Sequence, residues 1–120
     1  MTLQSEYYIG DLCYVLNRET WDELCQYMFP KKGEDIEGLF KLKDGRSLYL
    51  YRTAWGDGCY YDQDDKDYGV DSGTLGCMLV KELDEPENVY LGHVHTMPAP
   101  ICYSNGQVLT FGRIKIDTDF

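Results

Sequence analysis

Only one stretch of this chain repeats apolar residues at helical spacing. Trp21, Leu24, Cys25 and Met28 fall at i, i+3, i+4 and i+7, which lines them along one face of a helix. Glu19, Asp22, Glu23 and Gln26 face elsewhere. Asn17 is placed to cap the first turn, and acid at Glu19 suits the helix dipole. Pro30 stops the helix, and Lys31-Lys32-Gly33 follows as a loop.

Elsewhere the pattern is that of short strands between Gly, Asp and Asn turns. Glu6 to Leu16 reads as an extended entry kinked at Gly10-Asp11. Asp44-Gly45 separates Gly38–Lys43 from Arg46–Trp55, the sign of a type I′ hairpin. A two-residue loop there pairs Lys43 with Arg46, Lys41 with Leu48 and Leu39 with Leu50. Leu48 and Leu50 share one face and Tyr49 and Tyr51 the other, so this strand belongs inside a sheet. Gly56-Asp57-Gly58 interrupts, followed by Cys59-Tyr60-Tyr61 and an aspartate loop, and further strands are expected at Tyr68–Ser72, Thr74–Leu83, Val89–Met97, Ile101-Cys102-Tyr103 and Gln107–Ile116. Ser104-Asn105-Gly106 gives a second type I′ signal. The expectation is one α+β domain over residues 1–120: an N-terminal amphipathic helix on a mostly antiparallel, twisted sheet, or an open barrel-like roll, of about seven or eight strands.

Charge narrows the partners. The chain carries 11 Lys and Arg against 21 Asp and Glu, a net −10. Gripping nucleic acid needs clustered Lys and Arg to neutralise phosphates, so direct nucleic-acid binding is not expected. Docking on an anionic membrane surface is disfavoured for the same reason, and the run Cys77-Met78-Leu79-Val80 is too short to span a bilayer. Residues 31–52 alone carry more base than acid, so a mildly basic hairpin stands against an acidic remainder. Five cysteines, an odd number with no Cys-x-x-Cys, argue against a disulfide framework or a zinc ribbon. With no basic, apolar leader at Met1–Glu6, a cytoplasmic location is expected.

Several constellations are candidates for chemistry. Asp57 lies between Gly56 and Gly58, which reads either as an acid at a cleft or as a bulged strand corner. Asp71-Ser72-Gly73 lacks the Gly-x-Ser-x-Gly elbow of a serine nucleophile, and an Asx-turn at Asp71 fits it better. The acidic loop from Asp62 fails the calcium-loop pattern at Lys66, Asp67 and Gly73, which leaves a solvated, mobile loop or irregular cation binding. His93 and His95, two apart on a strand, project from one face about 6.6 Å apart at Cα. They pack as a buried pair or hold a divalent metal with a third ligand from Asp57, Asp71 or Cys102; no other cofactor is expected. The 11 tyrosines, Tyr60 among them, gather near the glycine segments and suit either a binding face or half-buried strands.

Three segments carry a resemblance: Gly10-Asp11-Leu12-Cys13-Tyr14-Val15, then Thr53–Gly58, then Val70-Asp71-Ser72-Gly73 with Gly76. Together they resemble a group of small uncharacterised bacterial and phage-encoded proteins with a GD-x-CYV start and a VDSG-x-x-G segment. The resemblance implies that Asp11, Asp57 and Asp71 converge at one sheet end, and it suits a small accessory or host-interacting protein.

The first function expected is a small acidic binding module for an unidentified protein or small molecule, with Asp11, Asp57, Asp71, Tyr60, His93 and His95 as its candidate ligand-binding residues. In one version its carboxylates mimic duplex phosphates towards a basic protein. The alternative is a small hydrolase using Asp57 and Asp71 with His93 or His95, with or without metal. Half-apolar strands also leave an edge able to pair in a homodimer.

Overall fold

The computed structural model describes residues 3–28 and 36–119. The Pro30 helix stop, the Lys31-Lys32-Gly33 loop and the first two residues lie outside them. The helix, α1, runs from Arg18 to Met28. Asn17 caps it, its Oδ1 accepting from the Thr20 amide at 2.8 Å. Among the described residues there are ten strands where about seven or eight were expected: β1 (Ser5–Gly10), β2 (Gly38–Lys41), β3 (Ser47–Arg52), β4 (Gly58–Asp62), β5 (Asp67–Val70), β6 (Thr74–Leu79), β7 (His93–Met97), β8 (Cys102–Ser104), β9 (Val108–Phe111) and β10 (Ile114–Asp117).

These strands form two five-stranded antiparallel sheets, in the orders β2-β3-β6-β1-β7 and β5-β4-β10-β9-β8. With 43% of the described residues in strands and one helix of 11 residues among them, the fold is mostly β. The expectation of an α+β domain with one sheet or open roll of seven or eight strands is therefore corrected. The reason lies in strands whose two faces are both apolar. In β6 all but the last residue are buried, and β3 buries Leu48 and Leu50 on one face and Tyr51 on the other. A single helix covers only one face of such a sheet, so a second sheet must cover the other.

The result is three layers. On one face of the first sheet Tyr8, Phe40, Leu48, Leu50 and Met78 pack on Leu24 and Met28 of α1 and on Leu12, Val15 and Leu16 of the preceding segment. On the other face Ile9, Tyr51, Leu75, Cys77 and Met97 meet Tyr60, Tyr68, Val70, Leu109, Phe111, Ile114 and Ile116 of the second sheet. Each core buries large side chains completely, at roughly 1.5–3 kcal/mol apiece. Among the described residues no helix is long and apolar enough to cross a membrane.

Both expected type I′ turns are corrected. Gly45 has φ +97° while Asp44 is not left-handed, and the Leu42 amide bonds to the Arg46 carbonyl. The loop therefore has three residues, closing as a turn plus a left-handed glycine. That slips the register by one: Phe40 faces Leu48, and Leu50 faces Gly38 instead of Leu39. The slip sets Phe40 and Leu48 together over the helix and leaves Leu39 exposed. In the second hairpin Gly106 alone is left-handed, and Asn105 pairs with Val108 around Gly106-Gln107.

Other boundaries move as well. β1 ends at Gly10, where the backbone turns into a 3₁₀ segment, Leu12–Tyr14. Pro86–Leu91 is 3₁₀ helix, so β7 begins only at His93. The Gln107–Ile116 segment is a hairpin, β9 and β10, turned at Gly112-Arg113. Within the basic hairpin the charge of Arg46 is neutralised, for its guanidinium binds Asp44, Asp84 and the Glu82 carbonyl at 2.8–2.9 Å. Lys31, Lys32, Glu34 and Asp35 of that stretch lie outside the described residues.

Candidate functional site

The three glycine-flanked segments meet at one end of the sandwich, but as a structural knot. Asp11 is fully buried. Its Oδ2 accepts the amides of Asp71 and Ser72 at 2.8 and 2.7 Å, and its Oδ1 accepts the Cys13 amide and the Ser72 hydroxyl at 3.0 and 2.8 Å. Ser72 thus serves as a donor to Asp11, and the turn is closed by Asp11 rather than by an Asx-turn of Asp71. The neighbouring loop is tied by Thr53, whose amide bonds to the Gly73 carbonyl. The Thr53 and Tyr60 hydroxyls both donate to the Gly56 carbonyl. Tyr60 is buried in the core and closes this loop. Asp57 is exposed at the loop's outer side, beside Trp55 and Cys59. Every lone pair of Asp11 is thus engaged with the protein's own backbone or side chains.

His93 and His95 stand apart from that knot, on the edge strand β7 where it overlies β5. Their rings lie 6.3 Å apart. The Tyr68 hydroxyl donates to Asp62 Oδ2 at 2.8 Å and meets His95 Nε2 at 3.1 Å, so a buried chain runs Asp62–Tyr68–His95. His93 packs edge-on against Tyr68, and its Nε2 lies 2.8 Å from the Asp67 carbonyl oxygen. Burial, with Arg113 and Lys66 nearby, holds His95 below the ordinary histidine value. Burial opposes ionisation of Asp62, but Tyr68 and the amides of Lys66 and Asp64 outweigh it and hold the carboxyl low. Neither Asp57 nor Asp71 is bonded to these histidines; the acids nearest them are Asp62 and Asp67.

Among the described residues no group of three His, Cys, Asp or Glu side chains is arranged to hold a metal ion. The Asp62–Asp67 stretch, expected as a solvated mobile loop or a cation site, is a tight hairpin turn. Asp62 Oδ1 accepts the amides of Asp64 and Lys66 at 2.8 and 3.1 Å, and Asp65 takes the left-handed position at φ 62°.

A further concavity lies elsewhere. A groove of about 560 Å³ opens between the segment Met97–Ile101 and the β9–β10 turn. Its apolar side is Met97, Pro98, Ala99, Pro100, Ile101 and Tyr103, and its polar side Thr110, Arg113 and Lys115. No carboxylate lines it. Cross-strand register sets Tyr103, Thr110 and Lys115 in one row on the outer face of the second sheet. Arg113 Nη1 donates to the Thr96 carbonyl at 3.1 Å, which anchors the guanidinium at the rim. Among the described residues neither Arg113 nor Lys115 enters an ion pair. In a chain of net −10 this is a cationic, half-apolar hollow.

None of these groove residues belonged to the six expected from the sequence. Two signals were available: Pro98-Ala-Pro100 before a hairpin, and two cations, Arg113 and Lys115, spaced by one residue near an acidic terminus.

The architecture is that of a two-sheet β-sandwich with one flanking helix. No family model, curated protein or solved structure matches the chain.

Proposed function

We propose that this protein is a small binding module without turnover, which takes a compact amphipathic anion into the Met97–Lys115 groove. The observation that carries this reading is the pairing of Arg113 and Lys115, both without ion-pair partners among the described residues, with an apolar wall and no carboxylate among the residues that line it. A guanidinium presents parallel donors that match a carboxylate or phosphate, while the prolines, Ile101 and Tyr103 offer apolar surface to the ligand's body. Binding sites of a few hundred Å³ with few polar groups suit ligands of this size. The buried and fully bonded Asp11 supports a scaffolding role for that end of the molecule, which leaves the groove as the recognising face. Five thiols in the free state fit a reducing compartment such as the cytoplasm.

Fluorescence of anilinonaphthalene sulfonate, an amphipathic anion, tests the reading. The dye should bind the native chain, and R113Q or K115Q should each weaken it about tenfold, the usual worth of one charged hydrogen bond. Phenylbutyrate should displace it and phenylbutanol should not. Equal competition by the alcohol, or variants that bind like the parent, would overturn the reading.

A further inference from the structure

Trp55 is 68% exposed, yet its indole is held in place. The ring Nε1–H donates to Asp119 Oδ1 at 3.0 Å. One residue earlier, the Ala54 amide donates to the Thr118 hydroxyl at 2.9 Å, and that hydroxyl donates to the Gln107 carbonyl at 2.6 Å. Thr118 is fully buried, and the Thr53 amide bonds to the Gly73 carbonyl. The Thr53–Gly58 loop is therefore laced both to the segment after β10 and to the β5–β6 turn. An indole fixed by its own N–H while the ring stays in water is preorganised for a contact that the described chain does not make.

Charge around this ring has one sign. Trp55, Asp57, Gly58, Cys59 and Tyr60 line a hollow of about 290 Å³, with no Lys or Arg among them. Asp57 is exposed and, among the described residues, enters no ion pair. Asp119 stands at the nitrogen edge of the indole. A carboxylate accepting from the indole N–H adds electron density to the ring, which strengthens its attraction for a cation. The chain as a whole carries −10, so its field draws cations towards its surface.

We propose that the hollow beside Trp55 receives an arginine side chain of a basic partner protein, its guanidinium stacked on the indole and paired with Asp57. Guanidinium suits the site better than ammonium, because it is planar, stacks on an aromatic face and offers forked donors to a carboxylate. A protein side chain suits it better than a free small molecule. Ligand pockets usually hold roughly 300–1,000 Å³ and bury most of the ligand. This hollow stands at the lower limit of that range, and its Trp55 wall is mostly in water. Partner surface around the anchored side chain supplies the rest of the contact.

The site is separate from the Met97–Lys115 groove, for the two share no lining residue and carry opposite charge. It also differs from the Asp11 tie at the same end of the sandwich. Asp11 is buried with its oxygens engaged, whereas Asp57 lies on the outer side of its loop, exposed to solvent. Gly56 and Gly58, both at positive φ, turn the backbone on either side of Asp57. The proposal does not depend on what the groove binds.

The test adds acetyl-Gly-Arg-Gly-amide to the native chain and follows the Trp55 indole N–H signal, identified by its loss in W55F, together with the Asp57 and Gly58 amides. Saturable shifts should appear at these three, and the indole of Trp21 on α1 should not move. The same peptide with citrulline keeps the shape without the charge and should not saturate; the lysine peptide and methylguanidinium should bind more weakly than the arginine peptide. W55A should weaken the arginine peptide about threefold, the usual worth of an exposed cation–π contact. D57N should do so about threefold as well, as for an exposed ion pair. Should W55A fail to fold, D57N decides, since it changes an exposed acid alone. Binding of the citrulline, lysine or methylguanidinium probe as tight as that of the arginine peptide, parent-like binding by D57N, or shifts centred elsewhere would overturn the proposal.

Discussion

The Asp11 carboxylate binds the backbone amides of Asp71 and Ser72, 60 and 61 residues further along the chain, at 2.8 and 2.7 Å. It ties the end of β1 to the turn between β5 and β6, and so joins the two sheets. Removing it leaves buried donors without acceptors, and each costs about 1–3 kcal/mol. D11A should therefore lose roughly 3 kcal/mol or more in urea unfolding. D11N should fare little better, because its amide NH₂ would point at N–H donors. D57N, at an exposed acid with no hydrogen bond in the described structure, should change stability by less than about 0.5 kcal/mol.

Close packing makes a second prediction. A Cβ on Gly76 would lie 2.7 Å from the Tyr49 carbonyl and 2.6 Å from the Leu12 side chain. Backbone cannot step aside as a side chain can, so G76A should destabilise by about 1–3 kcal/mol in thermal or urea unfolding.

How much of this was legible in the sequence depends on which forces set each feature. The start of helix α1 was legible, because the stripe and the Asn17 cap are local. The β2–β3 register was not, since Asp-Gly is compatible with loops of two or three residues. What selected three was the burial of Phe40 beside Leu48, a tertiary gain. The second sheet was hinted at by the two apolar faces of β3, yet no local signal said what covered the Tyr49 and Tyr51 side. The acid-and-glycine segments were legible as places where the backbone turns. Their meeting through Asp11 arises from contacts some 60 residues apart, and those contacts engage the very carboxylate that looked available. The groove was invisible because its two walls come from a proline-bearing connection and a hairpin turn that only the fold brings together.

Stability should fall with acid in two separate windows. His95 is held below its ordinary value of 6.5, so the unfolded chain takes up its proton first. That contribution is complete above pH 6.5 and is lost as the pH drops below it towards the folded value. Asp62 and Asp84 are held below their ordinary value of 3.8, Asp84 by Thr20, the Asn17 amide and Arg46 against the effect of burial. Their contribution is present above 3.8 and disappears as the pH falls through the lower folded values. Urea midpoints measured from pH 8 to 3 should show both declines, and H95Q should flatten the upper one alone.

The Asp62–Tyr68–His95 chain predicts the effect of one lost hydroxyl. Y68F leaves His95 Nε2 without its partner and costs roughly 1–3 kcal/mol. The same change removes a bond that favours ionised Asp62. The lower pH window should therefore become shallower in Y68F, which a mere packing defect would not produce.

Amide chemical shifts recorded while phenylbutyrate is added test most directly that the Met97–Lys115 groove is the binding face. Saturable shifts should centre on Tyr103, Thr110, Gly112, Arg113 and Lys115, and should vanish in the R113Q/K115Q double variant. Shifts centred instead on Asp57 and the Gly56–Gly58 loop, or none that saturate, would contradict it.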